Sequence, residues 1–237
     1  PNFMQEYKLY IEKTEIALVI HGGAGDISAA NISPEKEAEY KQKLNEALIE
    51  GYKILKDGGS SVDAVEKVIK ILENSPLFNA GKGSVLTTEK KFEMDAAIMD
   101  GRTLKTGAVT GVSHIKNPIS AARLIMDNSQ NVFFSGAGAE QYVKSQGMDL
   151  VDSLYFYPDD VRAEIEKKNL EEQNKKNKQS KKKSKKRFSL VESESSFTKY
   201  GTVGCIALDK DGNLAAGTST GGLENKMKGR IGDTPII

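Results

Sequence analysis

Apolar positions along the chain change their spacing several times, and each change predicts an element. Residues 14–25, TEIALVIHGGAG, open with a β-branched and apolar run halted by glycines, which predicts a buried strand running into a loop. From Ser33 the spacing turns helical. Ser33 suits an N-cap, Pro34 the first turn and Gly58 the stop, with an apolar stripe through Leu44, Ala47, Leu48, Tyr52 and Leu55. A second helix begins at Ser60 or Ser61 and carries Val62, Ala64, Val65, Val68, Ile69 and Leu72 on one face. A Gly-rich loop, PLFNAGKGS over 76–84, leads into three short strands: SVLTT (84–88), KFEMDAAIMD (91–100) and TGAVTGVS (106–113). Helices are predicted over 117–129, 137–146 and 158–168, with a strand at NVFFSG (131–136). TVGCIALD and NLAAGTST then flank KDGN, an Asp-Gly hairpin signal. Two helices between the first strand and a block of consecutive strands indicate an α+β or layered α/β fold, not alternating βαβ units.

Composition adds one sharp boundary. Residues 174–187, NKKNKQSKKKSKKR, hold nine basic residues and no acidic one; of the 34 basic residues in the chain, 25 then remain against 33 acidic ones, a net of −8. The expected organisation is a folded region over 14–168, a flexible basic linker over 169–200 and a further core segment from 202 to 237. A run of lysines can bind nucleic acid or act as a nuclear address. With no aromatic residue interleaved to stack on bases, a self-repelling solvated linker is the favoured expectation. No apolar run spans a bilayer, and the first residues lack the pattern of a secretory signal. A single cysteine, Cys205, excludes an internal disulfide framework and fits a reducing compartment, so the expected location is cytoplasmic. Two histidines and one cysteine leave no zinc-type ligand cluster.

Candidate chemistry is sparse until the linker ends. HGGAG, NAGKGS and SGAGAEQY are rich in glycine, but none has the spacing of a phosphate-binding loop or a dinucleotide fingerprint, and turn geometry accounts for them. Asp95, Asp100, Asp209 and Asp211 are scattered. His21 and His114 are expected to be structural, and Cys205 a small core residue. The abrupt join at KYGTVGC is different. A threonine hydroxyl is a weak nucleophile unless a neighbouring base activates it, and an N-terminal threonine carries such a base in its own α-amine. A polar segment ending in Gly201 just before Thr202 suits a chain that cuts itself at that bond, after which the upstream tail swings away, although as a bare pattern Gly-Thr before a strand is common and a β-branched residue opening the strand accounts for it equally.

GTVGCIALDKDGNLAAGTSTGGLENKMKGRIGDTP resembles the start of the β-subunit of plant-type asparaginases, the isoaspartyl peptidases among the threonine-type N-terminal-nucleophile (Ntn) hydrolases. HGGAG, PLFNAGKGSVLT, MDAAIMDG, TLKTGAVTGV and NPISAARLIM resemble the same family's α-subunit, in the same order. The resemblance covers most of 16–146 and all of 202–237. It implies an αββα sandwich, with 1–201 as the α-subunit region and 202–237 as the start of the β-subunit. It implies an amidohydrolase, made active by self-cleavage between Gly201 and Thr202, that acts on L-asparagine and β-aspartyl dipeptides. Thr202 would be the nucleophile, Thr220 its hydrogen-bond partner and Asn79 a support beside it. Arg230 would clamp the substrate carboxylate, Asp233 its ammonium group, and Gly221 would line the substrate site. Backbone carbonyls of Leu72, Glu73, Ser75, Phe78, Ala80 and Lys82 would hold a structural sodium ion. The α and β fragments would pair as a dimer of heterodimers. The family's β-subunit continues past the equivalent of Ile237 with a Thr-Gly pair that binds the oxyanion, so the expectation is that 202–237 is only its beginning. Rival expectations are a related Ntn hydrolase acting on glycosylasparagine or on protein, and a catalytically silent scaffold with a nucleic-acid-binding linker.

Overall fold

The computed structural model describes residues 15–23, 32–159, 161–163, 167 and 201–236. The predicted linker over 169–200, the end of HGGAG and residues 160, 164–166 and 168 of the predicted 158–168 helix lie outside the described residues. Six strands form one sheet: β1 (Ala17–His21), β2 (Met94–Asp100), β3 (Thr106–Val112), β4 (Phe133–Ser135), β5 (Val203–Leu208) and β6 (Leu214–Thr220). Their order is β1-β5-β6-β2-β3-β4, antiparallel throughout except where β4 joins β3 in parallel. The two strands that follow the predicted linker therefore occupy the middle of the sheet, between β1 and β2. With four helices packed on it, the described part is an α+β fold.

The helices are α1 (Pro34–Lys56), α2 (Ser61–Glu73), α3 (Pro118–Asn128) and α4 (Gly136–Ser145). Sequence signals explain their ends. Ser33 accepts a bond from the Lys36 N–H and Ser60 one from the Asp63 N–H, and α1 stops at Gly58, whose φ of +86° suits glycine. The buried stripe of α1 runs through Ala47, Gly51 and Leu55, while Leu48 and Tyr52, expected on it, are exposed. The reason is Gly51: a Cβ there would collide with Val68 of α2, so the glycine edge is the one that meets the neighbouring helix. α2 lies over β5 and β6, and α3 over β2 and β3. Gly217 on β6 sits beneath both helices, where a Cβ would meet Val65 Cγ1 at 2.7 Å and Ile69 Cδ1 at 3.0 Å. On the opposite face Val19, Ile206 and Leu214 are half-exposed or more.

One predicted strand is absent. Residues 84–88 make only the isolated bridge Leu86–Phe92. Their backbone pairs elsewhere: Leu86 O accepts the Asn225 N–H and the Thr88 N–H donates to Lys226 O, both at 2.9 Å. This segment is therefore tied to the loop after β6. The KDGN hairpin forms as expected, with Gly212 at φ +81°. Asp209 organises it: Oδ1 accepts the Asp211 and Asn213 N–H groups, and Oδ2 accepts the Ser61 N–H at the start of α2. These bonds hold its carboxyl below the usual carboxylate range, although burial pushes the other way.

Candidate active site

The register of the sheet builds the site. Val203 pairs with Ser219 across β5 and β6, so Thr202, one residue before β5, stands opposite Thr220 at the end of β6. The Thr202 Oγ1–H donates to Thr220 Oγ1 at 3.1 Å. A third hydroxyl joins them: Thr234 Oγ1 lies 3.3 Å from Thr202 Oγ1. Thr234 reaches the site because its carbonyl accepts the Thr218 hydroxyl at 2.8 Å, which folds the tail back along β6. Nothing in the spacing of the sequence places this threonine beside Thr202; its one signal was its position next to Asp233.

Asn79 braces the turn after β6. Its side-chain Nδ2 donates to Gly222 O at 2.6 Å, its Oδ1 accepts the Val85 N–H, and its carbonyl accepts the Gly221 N–H. The Gly222 N–H in turn donates to Thr220 Oγ1 at 2.9 Å. Asn79 thus reaches the Thr202 hydroxyl through Gly222 and Thr220. Gly221 has no room for a side chain, since a Cβ would collide with Asn79 Oδ1 and lie 2.7 Å from Ser84 Cβ. Arg230 packs over Gly232, where a Cβ would meet its Nη1 at 3.0 Å. Asp233 is exposed at the start of the turn that carries Thr234, and its carbonyl accepts the Ile236 N–H. No ion pair joins Arg230 to Asp233 among the described residues, so the two charges flank the same short segment without neutralising each other there.

The loop expected to bind sodium follows α2. Leu72, Glu73, Ser75, Phe78 and Ala80 are buried and Lys82 is partly so. The loop is wound so tightly that a Cβ on Gly81 would collide with Glu73 O and one on Gly83 with Phe78 O. Phe78 O and Ala80 O each accept one backbone N–H, which leaves a lone pair on each for another partner. A hard cation takes carbonyl oxygens of this kind, so the donor set fits such an ion.

Behind the site is the side-chain carboxyl of Glu73, a residue named above only for its backbone carbonyl. Glu73 is fully buried; Oε1 accepts the Ile119 N–H at 2.9 Å and the Ser219 hydroxyl at 2.7 Å, while Oε2 has no hydrogen-bond partner. Burial pushes its pKa up to about 7, against the pull of those two bonds. Cys205 lies on β5 with its thiol pushed up to about 12 by burial, so it is a core residue and not a nucleophile. His21, at the exposed end of β1, is held below its ordinary value by desolvation, and it fills the space a side chain on Gly204 would need. His114 pairs with Glu140 on the surface at 3.0 Å. Asp95 is the cross-strand neighbour of Thr220, but its Oδ1 accepts the Thr110 hydroxyl and the Gly111 N–H; Asp100 accepts the Arg102 N–H and the Thr103 hydroxyl. Among the described residues no group of three or more His, Cys, Asp or Glu side chains could hold a metal ion.

A family model described as asparaginase matches residues 14–237. The chain belongs to the asparaginase family. It is 48% identical to a putative isoaspartyl peptidase/L-asparaginase of Dictyostelium discoideum, over 93% of this chain and 68% of that protein. Identity is 43% to an isoaspartyl peptidase of Escherichia coli, over 93% of this chain and 65% of the relative. It is also 43% to an isoaspartyl peptidase/L-asparaginase of Mus musculus, over 94% and 62%. The chain therefore spans roughly two thirds of the length of these curated relatives. Among the described residues of this asparaginase-family chain, no helix is long and apolar enough to cross a membrane.

Proposed function

We propose that this protein is a threonine amidohydrolase that releases ammonia from L-asparagine and cleaves β-aspartyl dipeptides. The observation that carries the reading is the 3.1 Å bond from the Thr202 hydroxyl to Thr220, on the residue that follows Gly201. Thr202 first attacks the Gly201 carbonyl, the amide becomes an ester, and water releases Thr202 as a chain end. Its own α-amine, with an ordinary pKa of about 7.7–8.0, then takes the hydroxyl proton at neutral pH. In turnover Thr202 Oγ1 attacks the side-chain carbonyl of the substrate. Ammonia or the amino-acid leaving group departs, and water frees aspartate from the ester. Thr220 and Thr234 hold the hydroxyl in line, and Asn79 fixes the Gly221–Gly222 turn beside it. Arg230 clamps the substrate carboxylate as a fork, and Asp233 takes the ammonium group.

The rest of the proposal follows the same family pattern. The half-exposed face carrying Val19, Ile206 and Leu214 is where an αββα sandwich sets its second sheet. Carbonyls of Leu72, Glu73, Ser75, Phe78, Ala80 and Lys82 hold a sodium ion, which stiffens the loop bearing Asn79 and takes no part in the chemistry. Residues 1–201 and the segment from 202 form the α and β fragments, assembled as a dimer of heterodimers. The free, buried Cys205 suits the reducing cytoplasm.

The test is denaturing electrophoresis of the full-length protein with N-terminal sequencing of its fragments, alongside ammonia release from asparagine. A fragment beginning at Thr202, and loss of both cleavage and turnover in Thr202→Ala, are the expected results. Turnover by Thr202→Ala would place the nucleophile elsewhere.

A further inference from the structure

A buried ammonium group lies behind the turn that supports the three hydroxyls. Lys226 belongs to the segment after β6, and its side chain is 1% exposed. Nζ donates to Glu93 O at 2.6 Å and stands 4.0 Å from Asp95 Oδ2. That oxygen is itself buried and makes no hydrogen bond; Oδ1 of the same carboxylate accepts the Thr110 hydroxyl and the Gly111 N–H. A buried charge is costly unless it is paired, so this cation and this carboxylate each account for the other.

The Lys226 stem runs flat along Gly222. A Cβ on Gly222 would lie 2.8 Å from Nζ and 2.9 Å from Cδ of Lys226. Gly222 touches the site with both of its backbone groups, donating its N–H to Thr220 Oγ1 and accepting Asn79 Nδ2 on its carbonyl. The segment is tacked down further at Gly229, whose N–H donates to Glu93 Oε2 at 3.0 Å, and at Thr88, whose N–H donates to Lys226 O.

We propose that Lys226 is a positioning residue: its buried ammonium, held by Glu93 and Asp95, presses the Gly222 peptide against Thr220 and Asn79 and so keeps the Thr202 hydroxyl in line. This rests on Thr202 being the nucleophile. An apolar side chain of similar length would fill the same volume without a desolvated charge, and only the charge gives the segment a fixed partner on β2. The groups facing Nζ are Glu93 and Asp95 from β2 and the residue before it, and Arg230 from its own segment. Burial, with Arg230 adding to it, holds the ammonium below the usual lysine range, while Asp95 and Glu93 pull it back up. Once neutral, Lys226 no longer answers the Asp95 carboxylate and the turn loosens. The turnover rate then has an alkaline limb that belongs to this residue.

The experiment uses the full-length protein and follows ammonia release from asparagine across neutral to alkaline pH. Lys226→Met keeps the stem and removes the charge; kcat is expected to fall about tenfold or more, with KM changed far less and self-cleavage slowed. Lys226→Arg keeps the charge, and its alkaline limb moves to higher pH. Asp95→Asn removes the facing carboxylate, and its limb moves lower. Wild-type kcat in Lys226→Met, or limbs in the other two variants that superimpose on the wild type, would overturn the proposal. If Lys226→Met does not fold, as judged by thermal melting, the two opposite limb shifts decide alone. A dead Thr202→Ala beside an unaffected Lys226→Met sinks this inference only; an active Thr202→Ala sinks the reading beneath it.

Discussion

Ser219 donates its hydroxyl to Glu73 Oε1 at 2.7 Å, from the position immediately before Thr220. On β6 alternate residues face opposite sides of the sheet. Ser219 therefore points toward α2 and the buried carboxyl, while Thr218 and Thr220 point toward the hydroxyl cluster. The bond anchors the end of β6 to the C-terminus of α2, where the loop bearing Asn79 begins. Ser219→Ala leaves a buried acceptor short of a donor, at about 1–3 kcal/mol. Denaturant unfolding should show that loss, and steady-state kinetics a fall in kcat that exceeds any rise in KM.

The same carboxyl makes stability depend on pH. Its pKa is raised from 4.5 to about 7 by burial, so the folded state holds the proton more tightly than the unfolded chain. The stability it contributes is fully present below pH 4.5 and is lost as pH rises through about 7. From the linkage of one pKa unit to about 1.4 kcal/mol, the loss is on the order of 3 kcal/mol. Melting curves should fall between mildly acidic and mildly alkaline buffer in the wild type, and Glu73→Gln should flatten that dependence. An unchanged pH dependence in Glu73→Gln would mean that the carboxyl ionises freely in the fold.

Two threonines touch the Thr202 hydroxyl, and they are not equivalent. Thr220 also receives the Gly222 N–H, which orients its oxygen; Thr234 carries no such bond on its hydroxyl. Thr220→Val is expected to lower kcat about 10²-fold and Thr234→Val about tenfold, both with KM nearly unchanged. Equal losses from both would show that the nucleophile's orientation does not depend on the Gly222 bond.

Arg230 should act through binding. Arg230→Ala is expected to raise KM for asparagine about 10- to 100-fold, the value of a charge-assisted bond, and to leave kcat far less affected. Arg230→Lys should recover little of it, because a point charge cannot make the fork. Kinetics on both variants, with self-cleavage as a control for folding, make the check. A fall confined to kcat would move Arg230 from the substrate clamp to the chemistry.

Local rules carry far in this chain where an element is decided by its own residues. The caps at Ser33 and Ser60, the stop at Gly58, the helix over Pro118–Asn128 and the Asp-Gly hairpin all follow from neighbours within a few positions. The rules fail where a partner far along the chain takes the bonds. Residues 84–88 have a strand-like composition, yet their backbone is claimed by Asn225 and Lys226. Leu48 and Tyr52 fit a helical stripe, but Gly51, three positions after the first and one before the second, is the contact edge.

By itself the sequence determined the kinds of elements and drew attention to Thr202 at the join of a polar stretch and a core strand, a place that equally suits a β-branched residue opening a strand. It also marked Thr220, Arg230 and Asp233 through their resemblance to a family. Only the tertiary structure decided that Thr234 joins the nucleophile, that Glu73 and Lys226 stand behind it, and that β5 and β6 fill the centre of the sheet. Those relations depend on register and on which face of a strand a side chain occupies. For Glu73, Lys226 and β5 they are set by pairings between residues more than a hundred positions apart, and for Thr234 by bonds to Thr202 and Thr218 across a turn, and no local pattern records them.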